Sequence, residues 1–345
     1  MVMAQVKNGP AEARGATLPD ELTLQQELAA VASRVGVEKL EQALYFPKFF
    51  QIETTRRCNA RCPFCPSKQS DKTTPFMSDE LFERIVAELA QYADWIECVM
   101  VQRLGEPLTD PQIAARIQRL KAAGISRVSL STNASLLDET MARSLIGAGL
   151  DEIMFSIDSI HKEEYERMRV GLSYERVVAN IKRFFRLRDE IRPGMQVRVR
   201  GVSFHDLEKE DEQKALEEWE DFWRAFASPH DRVYKKRAHN WGNQWNWEGR
   251  ITPGPEILSR PCVVPWSTFH VTTKGKVPLC PQDYDGKITL GDLNCQSIAE
   301  VWQGEGWEEI RRLHRQGRRN QIPLCRGCVL FDLEYSLEKE ARVAR

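Results

Sequence analysis

The chain has no apolar run long enough to cross a bilayer, which takes about 20 residues, and no charged-then-apolar opening of the signal-peptide kind. It has no excess of charge of one sign, since 49 Lys and Arg stand against 50 Asp and Glu for a formal net charge of -1. That balance leaves no whole-chain electrostatic case for nucleic acid or an anionic membrane. No solenoid-type repeat is visible. These absences point to a cytoplasmic protein whose partner is a small molecule or a short peptide, with no nucleic acid and no membrane. The 345 residues, 42% of them hydrophobic, suffice for a sizeable core and suit about two domains.

What is present is cysteine, nine residues of it, in clusters. Cys58-Asn59-Ala60-Arg61-Cys62-Pro63-Phe64-Cys65 sets three thiols in one loop, and Cys325 and Cys328 form a later C-x2-C pair. Such spacing argues for metal ligation in a reducing compartment rather than for disulfides. Soft thiolates select zinc, copper(I) or iron-sulfur clusters. A C-x3-C-x2-C loop offers only three of the four ligands of a closed tetrahedral site, so one metal position is left open. An iron-sulfur cluster held by three thiolates keeps one iron free for an outside ligand. On residue chemistry alone, zinc and iron-sulfur are both available.

The loop resembles the signature of the radical S-adenosylmethionine (SAM) family. That resemblance implies a [4Fe-4S] cluster on Cys58, Cys62 and Cys65, with the open iron chelating the amino and carboxylate groups of SAM. It also implies reductive SAM cleavage, a 5'-deoxyadenosyl radical that takes hydrogen from substrate, and a flavodoxin- or ferredoxin-type electron donor. Phe64 matches the aromatic that the family packs near the adenine. Gly105-Glu106-Pro107, a common turn by itself, matches the family's GEP motif at the amino group of SAM. Ser131-Thr132-Asn133 resembles its polar segment after the third strand, and Ser156 with Asp158 its ribose- and carboxylate-contacting segment. Arg169 matches the arginine that often pairs with the SAM carboxylate; a surface arginine is its rival. Val202 either faces the adenine or packs in the core.

Periodicity supports the same frame. Residues 1–20 are polar and aperiodic and read as a disordered tail; Leu24, Leu28, Val31 and Val35 recur at helical spacing within a segment 21–48. Strands are expected over Phe49–Thr55, Trp95–Leu104, Ser126–Ser131, Glu152–Ile157, Gln196–Phe204 and Val233–Ala238. Helices are expected over Pro111–Ala123, Asp138–Ala148, Tyr174–Arg188 and Gln213–Phe226. Gly124 and Gly149 fall where helices should stop. Alternating short apolar strands and helices imply a parallel sheet. The fold class is therefore α/β, and the resemblance implies a partial (β/α)6 barrel over 49–240 with a small auxiliary-cluster domain over 241–335 and a tail at 336–345.

The second cysteine set, Cys262, Cys280, Cys325 and Cys328, is similar to the carboxyl-terminal extensions called SPASM and twitch domains. No cysteine follows the C-x2-C pair, so the set resembles the twitch version, with one auxiliary [4Fe-4S] cluster closed by all four thiolates; a four-thiolate zinc knuckle would use the same ligands. Cys98 reads as a core thiol. Cys98 and Cys295 are both weaker candidates for a hydrogen donor. The acidic run 206–221 reads as a solvated helix face, and the basic run from Arg311 to Arg319 as an exposed helix end. Trp241, Trp245 and Trp247, interleaved with amides, would form either a substrate wall or a domain junction.

Three functions compete. The first is radical SAM oxidoreductase activity, namely two-electron oxidation of a small hydroxylated substrate with the auxiliary cluster as electron acceptor. The second is epimerisation or cross-linking of a ribosomally made peptide. The third is a non-catalytic iron-sulfur carrier or sensor, which would need no SAM motif. The prefix looks short for a leader-peptide domain, and Pro281 stands where anaerobic sulfatase maturases carry an acidic residue. Dehydrogenation is therefore favoured. The catalytic base is unassigned, with His239, Asp283 and Asp285 as positional guesses.

Overall fold

The computed structural model describes residues 21–68, 73–204, 210–239, 241, 242, 244, 259–326 and 328. The tails at 1–20 and 336–345, residues 206–209 of the acidic run, and Trp245 and Trp247 lie outside the described residues.

Six strands alternate with helices: β1 (Phe49–Ile52), β2 (Cys98–Met100), β3 (Val128–Thr132), β4 (Glu152–Ser156), β5 (Gln196–Ser203) and β6 (Arg232–Arg237). With β7 (Thr268–Val271) they form a sheet of order β6-β5-β4-β3-β2-β1-β7. The strand pairs from β2 to β6 are parallel and follow chain order. This is an open α/β partial barrel. By compactness the chain divides into one unit of 51–237 with 272–274 and another of 1–50, 238–271 and 275–345.

In the first of these units, apolar side chains on alternate strand positions meet helices. Phe155 on β4 contacts Phe184 and Phe185 of a helix at Tyr174–Ile191, with ring centroids 5.4 and 6.3 Å apart. Helices at Ile113–Ala122 and Glu139–Gly147 end before Gly124 and Gly149, whose φ of 87° and 90° carry the chain out in a conformation glycine tolerates best. A short helix at Lys162–Met168 was not among the sequence expectations, nor was the helix at Asp79–Ala90. The latter is capped by Ser78, whose hydroxyl accepts from the Leu81 N–H, and it buries Leu81, Phe82, Ile85, Val86 and Leu89. The strand expected over Trp95–Leu104 is regular only at Cys98–Met100, because the chain then turns into the tightly packed Gly105 segment described below.

The acidic run is a helix at Glu210–Arg224 that is largely exposed and buries Trp219 and Trp223. Among the described residues no helix is long and apolar enough to cross a membrane.

In the other unit, a helix at Glu21–Val35 packs Val31, Ala32 and Val35 with Leu40, Ala43 and Trp266. An antiparallel pair, β8 (Lys276–Pro278) with β9 (Thr289–Asp292), precedes helices at Ile298–Trp302 and Glu305–Arg315.

The basic run differs from its expectation. Arg311, His314 and Arg319 are buried. Arg311 donates to the carbonyls of Pro265 (2.9 Å) and Trp302 (2.8 Å) and lies over the Trp302 ring, 4.4 Å from its centroid. The reason is periodicity: Trp307, Ile310, Arg311 and His314 share the inward face of the helix.

Candidate functional site

The three-cysteine loop leaves the carboxyl end of β1, the end at which parallel α/β sheets place their sites. Cys62 is buried, and Cys58 and Cys65 are half-buried. Neighbouring backbone anchors the loop closely. Gly105 lies so near it that a Cβ would stand 2.3 Å from the Thr55 carbonyl oxygen and 2.7 Å from that of Arg57. Only glycine fits there, and the approach lets the Glu106 N–H donate to the Arg57 carbonyl at 2.7 Å. On the other side, Asn59 donates to the Ser135 hydroxyl (2.7 Å) and accepts from the Asn133 amide (3.0 Å). The Arg61 N–H donates to the Val170 carbonyl at 2.8 Å.

Glu106 is the most confined acid of the cradle. It is 3% exposed. Its carboxylate accepts from the Thr132 hydroxyl (2.6 Å), the Asn133 N–H (2.8 Å) and the Leu108 N–H (3.2 Å). Desolvation nevertheless outweighs these bonds and pushes its pKa up to about 7. A buried acid in that state is suited to receive a cationic or proton-donating group. Pro107 is buried and opens a short 3-10 turn for which Glu106 is the cap. Ser131 and Ser156, on adjacent strands, bring their hydroxyls to 3.3 Å.

Arg169 is no ordinary surface arginine. It makes a two-pronged ion pair with Asp158 (2.6 and 3.0 Å), lies 5.1 Å over the Phe64 ring, and points Nη1 toward the Cys62 sulfur at 4.0 Å. Burial works against its charge, but Asp158 and Cys62 more than offset that. Asp158 also accepts from the Val202 N–H at 2.9 Å, and the Val202 side chain is half-buried. Phe64 packs against Phe204 with centroids 5.0 Å apart.

The thiols themselves speak to what the loop holds. Burial pushes Cys58 up to about 12, and Glu106, Cys65 and Cys62 add to the rise. Burial also raises Cys62, against the pull of Arg169. Thiols that repel one another's charge in a desolvated loop ionise when a cationic centre is bound among them, and ligation requires the thiolate. The donor set fits an iron-sulfur cluster.

In the second set, burial likewise pushes Cys262 up to about 11 and raises Cys280 and Cys325 further. Cys328 bears on all three of the others, and Cys325 on Cys280. Two side chains that the sequence reading did not place brace this set. His314 Nδ1 accepts from the Cys262 N–H at 3.0 Å, and Arg319 donates to the Cys328 carbonyl at 3.0 Å. Burial drives His314 down to about 3, so the imidazole is neutral and free to accept. Among the described residues no three His, Cys, Asp or Glu are grouped around one ion.

Of the positional guesses for a base, Asp283 borders the second cysteine set, its N–H donating to the Cys280 carbonyl at 3.1 Å and its charge raising Cys280 and Cys325. Asp283 is fully buried and accepts from the Lys287 (2.7 Å) and Ile288 (3.0 Å) N–H groups, organising its own turn, whereas Asp285 is exposed. His239 accepts from the Trp241 N–H at 3.2 Å. Gln244 joins that same turn, donating to the Gln282 carbonyl at 2.6 Å. Cys98 is buried, 3.4 Å from the Ser129 hydroxyl, and Cys295 is exposed.

Comparison with known proteins gives the same assignment. Residues 52–209 match the radical SAM superfamily model, and residues 262–329 match the SPASM iron-sulfur cluster-binding domain. The chain is 20% identical to an S-adenosyl-L-methionine-dependent 2-deoxy-scyllo-inosamine dehydrogenase of Niallia circulans over 81% of this chain and 91% of that protein. It is 31% identical to a GTP 3',8-cyclase of Peptoclostridium acidaminophilum, over 39% of this chain and 41% of the cyclase. The chain thus spans less than half the length of that relative.

Among solved structures, BtrN in complex with AdoMet and 2-DOIA aligns with a TM-score of 0.56 at 16% identity, covering 82% of this chain and 93% of that one. Streptococcus suis SuiB bound to its precursor peptide SuiA aligns at 0.57 and 15%, covering 95% and 81%. These two likenesses concern the fold. The cofactors of the two matched domains are [4Fe-4S] clusters and SAM. The chain belongs to the radical SAM superfamily of enzymes and carries a carboxyl-terminal SPASM iron-sulfur domain.

Proposed function

We propose that this enzyme dehydrogenates a small hydroxylated substrate at a carbinol carbon. The observation that carries the reading is the second set of four thiols, Cys262, Cys280, Cys325 and Cys328, in which Cys328 lies near enough to raise each of the others. Four protein ligands would close one auxiliary cluster and leave no iron for substrate, which suits an electron acceptor. The resemblance to the inosamine dehydrogenase over nearly its whole length supports the same class.

When bound, SAM and the clusters supply hydrogen-atom abstraction and an electron sink. The protein's part is placement. Residues 49–240 serve as the SAM barrel and 241–335 as the auxiliary domain. Cys58, Cys62 and Cys65 hold the first cluster; Glu106, with the Gly105 and Pro107 backbone, receives the amino group of SAM. Ser131, Asn133 and Ser156 offer hydroxyl and amide contacts at the strand ends. Phe64 would pack near the adenine. Arg169, locked by Asp158, keeps a positive charge beside Cys62 and the SAM carboxylate. A flavodoxin or ferredoxin supplies the electron for cleavage.

The substrate loses one hydrogen atom from the carbinol carbon, one proton from its hydroxyl and one electron, for which the auxiliary cluster would be the acceptor, so the product is a carbonyl two hydrogens lighter. With a polyol or aminocyclitol panel deuterated at the carbinol carbon, deuterium should appear in 5'-deoxyadenosine. A product of unchanged mass with solvent deuterium at an inverted centre would establish epimerisation instead.

A further inference from the structure

The polar face of the sheet carries positive charge that the chemistry above leaves unused. Ile153, Phe155, Val197 and Val199 are fully buried or nearly so, and Phe155 turns to the helices. Their strand neighbours therefore point the other way, since alternate side chains take opposite faces. That opposite face holds Met154 and Ser156 of β4, Arg198 and Arg200 of β5, and Arg232, Tyr234 and Lys236 of β6. Met154, Arg198 and Arg232 stand in register, as do Ser156, Arg200 and Tyr234; Val202 pairs with Lys236. Side-chain contacts agree, with the Tyr234 hydroxyl 3.9 Å from the Met154 sulfur and the Ser156 hydroxyl 3.3 Å from that of Ser131.

Charge is matched in the lower row and not in the upper one. Arg198 pairs with Glu152 at 2.9 Å, which also takes Arg127 at 3.2 Å. One row up, Arg200 is half-buried, and its side chain makes no hydrogen bond or ion pair with any described residue. The acid nearest in sequence to that row, Asp158, is already engaged by Arg169 and the Val202 N–H. Tyr234, level with Arg200 in the register, is bonded instead to Arg198 and carries Lys236 over its ring, 5.8 Å from the centroid. A half-buried guanidinium left without an anion is costly unless one arrives with a ligand. Its planar fork matches a carboxylate or phosphate in two-pronged fashion.

We infer that Arg200 is the anchor of a subsite for an anionic group on the substrate, so that the enzyme selects hydroxy acids or sugar phosphates over neutral polyols. The subsite lies in the same row as Ser156, beside the residues assigned to SAM. This deepens the dehydrogenase reading and rests on it for the reaction, though not for the binding.

The test is anaerobic titration calorimetry of the cluster-loaded, SAM-bound protein with gluconate, glucose 6-phosphate and neutral glucitol. A charge-assisted pair of this kind should favour one of the anions over glucitol by about tenfold or more. Gluconate against glucose 6-phosphate then tells carboxylate from phosphate. Arg200→Gln should erase the preference without changing glucitol binding, and Arg200→Lys should restore part of it; circular dichroism and cluster absorbance report that each variant is folded. Anions held no better than glucitol by the wild type overturn the subsite, as does undiminished anion binding by Arg200→Gln. Either result leaves dehydrogenation standing, because deuterium transfer to 5'-deoxyadenosine decides that separately.

Discussion

Glu106 offers a sharp test of how the SAM cradle is built. Its carboxylate has three hydrogen bonds, yet burial holds its pKa up at about 7 against an ordinary 4.5. Because the folded value lies above the unfolded one, the neutral acid is favoured in the native state. Its contribution to stability is full below pH 4.5 and is lost as the pH rises through 7. A shift of this size corresponds to about 3 kcal/mol in full, of which roughly 2.5 should be lost between pH 5 and pH 8.

Glu106→Gln removes the titration while keeping one oxygen to accept from Thr132 and Leu108. The comparison is therefore between slopes, measured by chemical or thermal unfolding of SAM-free protein across pH 5 to 8. The wild type should lose ground to Glu106→Gln as pH rises, by about 5–10 °C in Tm for a unit of this size. Profiles that stay parallel over the whole range would refute the account, since the carboxyl would then titrate alike in the folded and unfolded chain. A cation delivered to Glu106 relieves the same penalty, so saturating SAM should flatten the wild-type slope.

Other expectations follow from single contacts. Gly105→Ala would drive a Cβ into the Thr55 carbonyl at 2.3 Å, so iron content in the first cluster and SAM binding should both fall sharply, as read by iron analysis and equilibrium dialysis. Arg311→Met leaves two buried carbonyls without donors and should cost about 2–4 kcal/mol by denaturant unfolding. A cost below about 0.5 kcal/mol would mean those bonds do not contribute. Anaerobically reconstituted protein should hold about eight irons as two [4Fe-4S] clusters, and Cys325→Ala with Cys328→Ala about four; stoichiometric zinc in place of iron would contradict the cluster assignment. That double variant should retain reductive SAM cleavage and lose product, as followed by chromatography of 5'-deoxyadenosine and substrate.

What was legible in the sequence, and what was not, divides along the range of the interactions. The cysteine loop, the GEP turn and the alternation of strands with helices are local patterns, set by residues a few positions apart, and each can be read without the fold. The partners that tune them come from far along the chain. His314 accepts from the Cys262 N–H across 52 residues, and Asn59 bonds to Ser135 across 76. Neither pair has any periodicity that would announce it. Arg169 is intermediate: its motif was visible, but its engagement by Asp158, 11 residues earlier, follows from how the chain after β4 returns to the cysteine loop.

Arg311 shows the opposite failure. Charge density marks its neighbourhood as an exposed helix end, whereas Trp307, Ile310 and His314 mark a buried stripe through it. A guanidinium can occupy such a stripe when carbonyls and an aromatic face receive it, as Pro265, Trp302 and the Trp302 ring do here. Burial pulls its pKa down to about 10, so it stays charged at neutral pH. Face position therefore outranks charge count in deciding where a helical arginine lies. On β5, alternation likewise puts the Arg200 guanidinium on the polar face, where Asp158 is already engaged by Arg169.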